Sequence, residues 1–204
     1  MIGLIQHVLL HLLDDSGVVG ARAEVLRRVG LPEDTHFRLD TDYDDAQAEA
    51  LLDAACAVLQ ITREQAFAAY ARAFLADTRQ RFPAFYAMSA DSRAFLARQA
   101  AIHNVMASGL RNPDRRRQIN DKFQITALDD GDLRVHYNSP RRWCGLYLAL
   151  AHEVAQLYGD RLEVRVAQCR QRGDAQCVFH LHWPERSADA VPDAAAAPPS
   201  GDTP

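Results

Sequence analysis

The chain has 204 residues and a formal charge of −4, with 23 lysines and arginines against 27 acidic side chains. That length suits one cooperative domain with at most a small subdomain, and it excludes a long repeat array or a fusion of two enzymes. At 48% hydrophobic and 25% charged residues the composition is globular, and no run of roughly 18 apolar residues suggests a membrane span.

The opening stretch, MIGLIQHVLLHLLDD, lacks the basic leader and cleavage site of a signal peptide, so a cytoplasmic protein without membrane insertion is expected. Its Ile2, Leu4, Ile5, Val8, Leu9, Leu12 and Leu13 predict a helix over 2–13. A second helix runs through Ala21, Val25, Leu26 and Val29 and stops at Gly30 and Pro32. Between Glu33 and Asp53 eight acidic residues face Arg38 alone, a local balance of −7 that reads as a solvated loop and helix start or as a docking surface. Asp45 is placed to cap a helix from Ala46 to about Leu59, and Thr62 with Gln65 forms a capping box for another reaching about Thr78. Phe82, Phe85 and Tyr86 crowd around Pro83 as a short aromatic turn. One long helix is predicted from about Asp91 to Ser108, stopped by Gly109, with His103 on an apolar face beside Ala107 and Leu110.

The stretch RNPDRRRQIND, with three consecutive arginines, reads as a solvated loop or a surface for an acidic partner. It is too short, and too poor in aromatics, for nucleic acid. Period two then replaces the helical period. KFQITAL and LRVHYNS form a hairpin turning at Asp130–Gly131, WCGLYLALAHEVAQLYG is a helix, and RLEVRVAQC with AQCVFHLHW makes a second hairpin. The fold class is therefore α+β, an N-terminal helical subdomain followed by a four-stranded antiparallel sheet with packed helices. Residues 184–204 hold five of the nine prolines and no Leu, Ile or Phe, the composition of a disordered Ala/Pro-rich tail behind a folded part of 1–183.

No P-loop and no paired nucleophile and base stand out, so an enzyme is not expected. Other residues carry chemistry. His103 is either a hydrogen-bonded core residue or a metal ligand, and its small neighbours Ala100 and Ala107 leave room for a flat cofactor against the helix. Tyr137, Ser139 and Arg141 alternate along a strand end and so share one face. They suit either an exposed salt bridge with capping hydroxyls or a grip on one or two carboxylates. Of the four cysteines, Cys56 falls on an apolar helical face. Cys144, Cys169 and Cys177 can converge as a zinc site if a fourth ligand joins them, as a dithiol redox pair, or as buried thiols.

Taken together, the Gly of MIGLI, the DTDYDD run, FPAFY, the histidine of IHNVM, the row YNSPR placed 34 residues after it, and the order of the hairpins resemble the haem nitric oxide/oxygen-binding family, whose fold also serves the haem-bearing region of soluble guanylate cyclases. The resemblance covers residues 1–183 and implies a division into a distal helical part, about 1–60, and a proximal part, 61–183, with haem between them. It implies haem b with His103 as iron ligand, Tyr137, Ser139 and Arg141 on the propionates, and Pro113 against the haem. Ile5, Leu9, Phe74, Thr78, Leu146 and Leu150, with Phe82, are implied as the distal wall.

Oxygen-binding members carry a tyrosine five residues beyond the motif arginine, where this chain has Leu146; Tyr147, one residue along, is expected to point elsewhere. The expected function is thus a nitric oxide sensor, five-coordinate and ferrous, that excludes oxygen and signals to a separate histidine kinase or cyclic-nucleotide enzyme. Some members also hold zinc on three cysteines and a histidine. Cys144, Cys169 and Cys177 match that set, but Val166 stands where the histidine is expected, leaving His152, His180 and His182 as possible fourth ligands. A zinc- or cysteine-based redox-sensing module is the alternative function.

Overall fold

The computed structural model describes residues 3–39, 41–109, 112–129, 131–139 and 143–184. Its α+β architecture is the one the period change predicts, four helices leading into smaller helices and an antiparallel sheet. Helix α1 (Leu4–Asp14) buries Leu4, Val8, Leu9, Leu10 and Leu13. It starts close under the acidic run. A Cβ on Gly3 would stand 2.1 Å from the Arg38 carbonyl oxygen, and only glycine permits that approach. Helix α2 is Ala21–Arg28. Helix α3 (Asp45–Leu59) is capped one residue earlier than the sequence suggests: the Asp44 carboxylate accepts the Ala46 N–H at 3.0 Å, so Asp45 opens the helix instead of capping it.

Helix α4 (Arg63–Arg81) begins on the expected capping box, in which Thr62 accepts the Gln65 N–H at 3.2 Å and Gln65 accepts the Thr62 N–H at 2.9 Å. The aromatic turn is the short helix α5 (Pro83–Ala87). Where one long helix was predicted there are two, α6 (Ser92–Ala97) and α7 (Gln99–Ala107). They part at Arg98, whose N–H bonds three residues back to Phe95 and whose guanidinium reaches Ser89 and Met88 at 3.1 and 3.3 Å. The arginine-rich stretch is also helical, as α8 (Pro113–Asn120). Asn112 caps it by accepting the Asp114 and Arg115 N–H groups at 2.9 and 3.1 Å, and Pro113 presets its first turn.

Strands β1 (Phe123–Ala127), β2 (Leu133–Tyr137), β3 (Glu163–Gln168) and β4 (Cys177–His182) form one antiparallel sheet in the order β1-β2-β4-β3. Gly131 of the first turn has φ 88°, while Asp130 lies outside the described residues. Leu133, Val135 and Tyr137 alternate inward with Phe179 and Leu181, and helix α9 (Cys144–Tyr158) lies in the same apolar cluster. A second cluster unites α1, α2, α3 and the first half of α4 around Val25, Leu26 and Leu51. Helix α4 belongs to both clusters, giving Ala66, Phe67 and Tyr70 to the helical one and Leu75 to the one on the sheet. Gly145 lets α9 come close to α4, since a Cβ there would meet the Phe67 ring at 3.1 Å.

Candidate functional site

Between the two clusters lies a cavity of about 220 Å³ whose wall is mainly apolar. Nine of the twelve residues implied as haem contacts line it: Ile5, Phe74, Thr78, Phe82, His103, Tyr137, Ser139, Leu146 and Leu150. Three do not appear on that wall. Leu9 sits on a neighbouring void of about 20 Å³, which shares Ile5, Tyr70 and Leu146 with the larger one. Pro113 is exposed at the start of α8, and the cavity meets α8 through Arg115, Gln118 and Ile119 instead. Arg141 lies outside the described residues.

On one side of the cavity stands His103. Its ring lies 4.8 Å from that of Phe123, which leads to Tyr137 at 5.1 Å and Tyr147 at 5.7 Å. The residue keeps part of its surface accessible on the cavity wall. Burial, and then the nearby Lys122 ammonium, push its pKa down to about 3, so the imidazole is neutral at pH 7 and retains a lone pair for a metal or a proton. Tyr137 and Ser139 are both buried and line the cavity together, as their alternation in sequence predicts.

The opposite wall carries Ile5, Phe74, Leu146 and Leu150, and its hydroxyls already have acceptors in the protein. Thr78 donates to the Phe74 carbonyl at 2.7 Å, leaving its oxygen to accept from the Tyr86 hydroxyl at 2.6 Å. Tyr70, absent from the sequence reading, donates to the Ile5 carbonyl at 3.3 Å, and burial holds its pKa well above the usual phenol range. It lies one turn before Phe74 on α4, so helical spacing was the signal that could have found it. Tyr147 also lines the cavity, but it packs on Phe179 at 4.7 Å within the sheet-side cluster, whereas Leu146 belongs to the helical one.

The mouth of the cavity is charged. Arg115 spans Asp42 at 2.8 Å and Asp45 at 3.0 Å, joining the basic run, expected as a solvated loop or a surface for an acidic partner, to the acidic run, expected as a solvated loop and helix start or a docking surface. Its hydrogen bonds to Asp42 and then Asp45 raise its own pKa. Burial works to raise that of Asp42, but the bond from Arg115 helps hold it below the usual carboxylate value. The opposite signs of the two runs were the sequence signal for this contact.

Behind Tyr137 three buried cysteines converge, with Cys144 opening α9, Cys169 following β3 and Cys177 opening β4. Their sulfurs all lie within 4.8 Å of one another, and those of Cys144 and Cys169 are 3.4 Å apart. Burial pushes the Cys144 thiol up to about 12 and raises Cys177; for Cys169 burial is outweighed by donors, the Gln171 N–H first, and its pKa falls. The trio supplies three ligands of a zinc set. The histidines do not complete it: His180 and His182 each meet Asp132 at 3.0 Å, and His152 is exposed. Cys56 stands apart, packed against the helical cluster.

A sequence profile of the haem-NO-binding family, HNOB, matches residues 2–166. No curated protein shows a significant sequence match. Among solved structures, an H-NOX protein from S. oneidensis in the Fe(II)NO ligation state superposes with a TM-score of 0.72 at 16% identity, over 91% of this chain and all (100%) of that one. An oxygen-binding H-NOX domain related to soluble guanylate cyclases gives 0.73 at 15% identity, over 91% of this chain and 96% of its own. These likenesses agree on the fold, and the profile match over most of the sequence agrees with the histidine and the Tyr-Ser row beside the cavity: the chain belongs to the haem-NO-binding family.

Proposed function

We propose that the chain is a haem-based sensor of nitric oxide, a non-catalytic module like the rest of its family, acting on a separate partner such as a histidine kinase or a cyclic-nucleotide enzyme. The observation that carries this reading is the apolar cavity between two cores with one neutral imidazole, His103, on its wall and two buried hydroxyl residues, Tyr137 and Ser139, beside it. Those residues fit haem b: His103 would supply the nitrogen that ligates the iron, and Tyr137 and Ser139, with Arg141, would hold the propionates. Bound there, the haem supplies the iron at which a diatomic gas binds. The distal wall selects between gases. With Leu146 apolar and the Thr78, Tyr86 and Tyr70 hydroxyls donated elsewhere, it offers little to a polar oxygen ligand. Absorption spectra of the reduced, haem-loaded protein should change with nitric oxide under anaerobic conditions and show no stable oxygen adduct in air; a persistent oxygen complex would overturn the selectivity.

The second reading, a zinc- or cysteine-based redox-sensing module, is favoured by Cys144, Cys169 and Cys177, whose donor atoms already converge. Metal content and thiol titration of protein purified without a metal column distinguish it. Stoichiometric metal or a titratable dithiol supports it, and three inert thiols remove it.

A further inference from the structure

The three-thiol centre supports an inference that rests on the second reading and names the ligand the centre takes. A structural zinc ion is closed by four ligands in a tetrahedron. Among the described residues no histidine, carboxylate or fourth cysteine joins these three sulfurs, and the β3 side chain three residues before Cys169 is Val166. Water is a poor substitute for the missing ligand, because Cys144, Cys169 and Cys177 are 3%, 7% and 1% exposed.

Charge decides further. Three thiolates around a divalent ion leave one negative charge in a buried place, and burial magnifies its cost. The Arg170 guanidinium is committed to the Ser139 and Ala175 carbonyls at 3.1 and 2.8 Å, and the contact Arg170 makes with Cys177 sulfur is through its backbone N–H, at 3.4 Å. A soft trivalent centre removes these mismatches together, since three thiolates neutralise it and a lone pair takes the side where none of the described residues supplies a fourth donor.

We propose that Cys144, Cys169 and Cys177 form a three-thiolate site for a trivalent thiophilic metalloid of the arsenite type. Arsenous acid, As(OH)₃, binds by exchange: three As–O bonds break, three As–S bonds form, and each thiol proton leaves on a hydroxyl as water. Arsenic stays trivalent, so neither oxidant nor reductant is consumed. Cys177 is the register partner of Tyr137, and Arg170, whose backbone N–H donates to the Cys177 sulfur, holds the Ser139 carbonyl, so the thiol centre adjoins two residues of the cavity wall.

The test uses the full chain reduced with a phosphine and titrated with arsenite, read by native intact mass and by arsenic X-ray absorption. The expected product carries one arsenic per chain, with three hydrogens lost and three sulfurs around the metalloid. Cys56→Ser should leave it unchanged, whereas Cys144→Ser, Cys169→Ser and Cys177→Ser should each abolish the three-sulfur adduct; the absorption measurement on the wild-type chain stands even if a variant fails to fold. Two-sulfur adducts in the wild type, or a zinc ion on these cysteines that excess arsenite does not displace, would overturn the proposal while leaving a thiol metal centre in place. Failure of the folded protein to bind either arsenite or zinc would overturn the proposal and the metal-centre reading together.

Discussion

His103 shows at the residue scale what a sequence can and cannot say. Its place on an apolar helical face was legible from spacing, but the depression of its pKa to about 3 comes from surroundings that other elements deliver, burial first and Lys122 next. That depression has a sign. An unfolded chain binds a proton on this imidazole below its ordinary value of 6.5 and the folded chain does not, so folding is favoured above that pH and loses ground as pH falls toward about 3. The haem-free protein should therefore lose up to about 1.4 kcal/mol of stability per pH unit from this group, less where cavity water reaches it. Urea melts of the wild type and of His103→Gln between pH 7 and pH 4 measure it, and parallel pH dependences in the two would remove the effect. In the proposed cofactor-bound form His103→Gly should lose the axial ligand and regain its spectrum with added imidazole; a spectrum that imidazole leaves unchanged would displace His103 from that role. Tyr147 is the complementary case. The sequence placed it off the distal wall, but its packing on Phe179 follows from strand pairings that no local pattern specifies.

Elements were legible wherever their ends carry capping chemistry. The Thr62–Gln65 box and the Asn112–Pro113 start are both written in the sequence, although three adjacent arginines masked the second as a loop. The break at Arg98 was not legible, because it depends on Ser89 and Met88 drawing that side chain back across the helix end. The start of α1 is the sharpest local constraint. Gly3→Ala would drive a methyl group into the Arg38 carbonyl, and the repacking should cost about 2 kcal/mol, or roughly 4–8 °C in Tm for a chain of this size. A thermal melt within 1–2 °C of the wild type would mean that this approach is not held in solution.

On the scale of the whole molecule, the small net charge hides two opposed runs that meet at the cavity mouth. Arg115→Ala would leave Asp42 and Asp45 without their shared cation, at a cost of about 1 kcal/mol. In a double-mutant cycle with Asp42→Asn, coupling of about 0.5–1 kcal/mol is expected, weakened by salt; additive losses would show that the pair does not hold the mouth. Helix α4 sets a different condition. Its 19 residues make a rod about 28 Å long whose two halves are built into different cores, so neither core can melt without taking part of the other's wall. The two tryptophans report on the two sides separately, Trp143 from the helical cluster and Trp183 from the sheet, where its indole N–H donates to Ser92 at 2.9 Å. Single-tryptophan variants made with Trp143→Phe and Trp183→Phe should therefore unfold at one common denaturant concentration, so that a cavity laid between two cores sits inside a single cooperative unit.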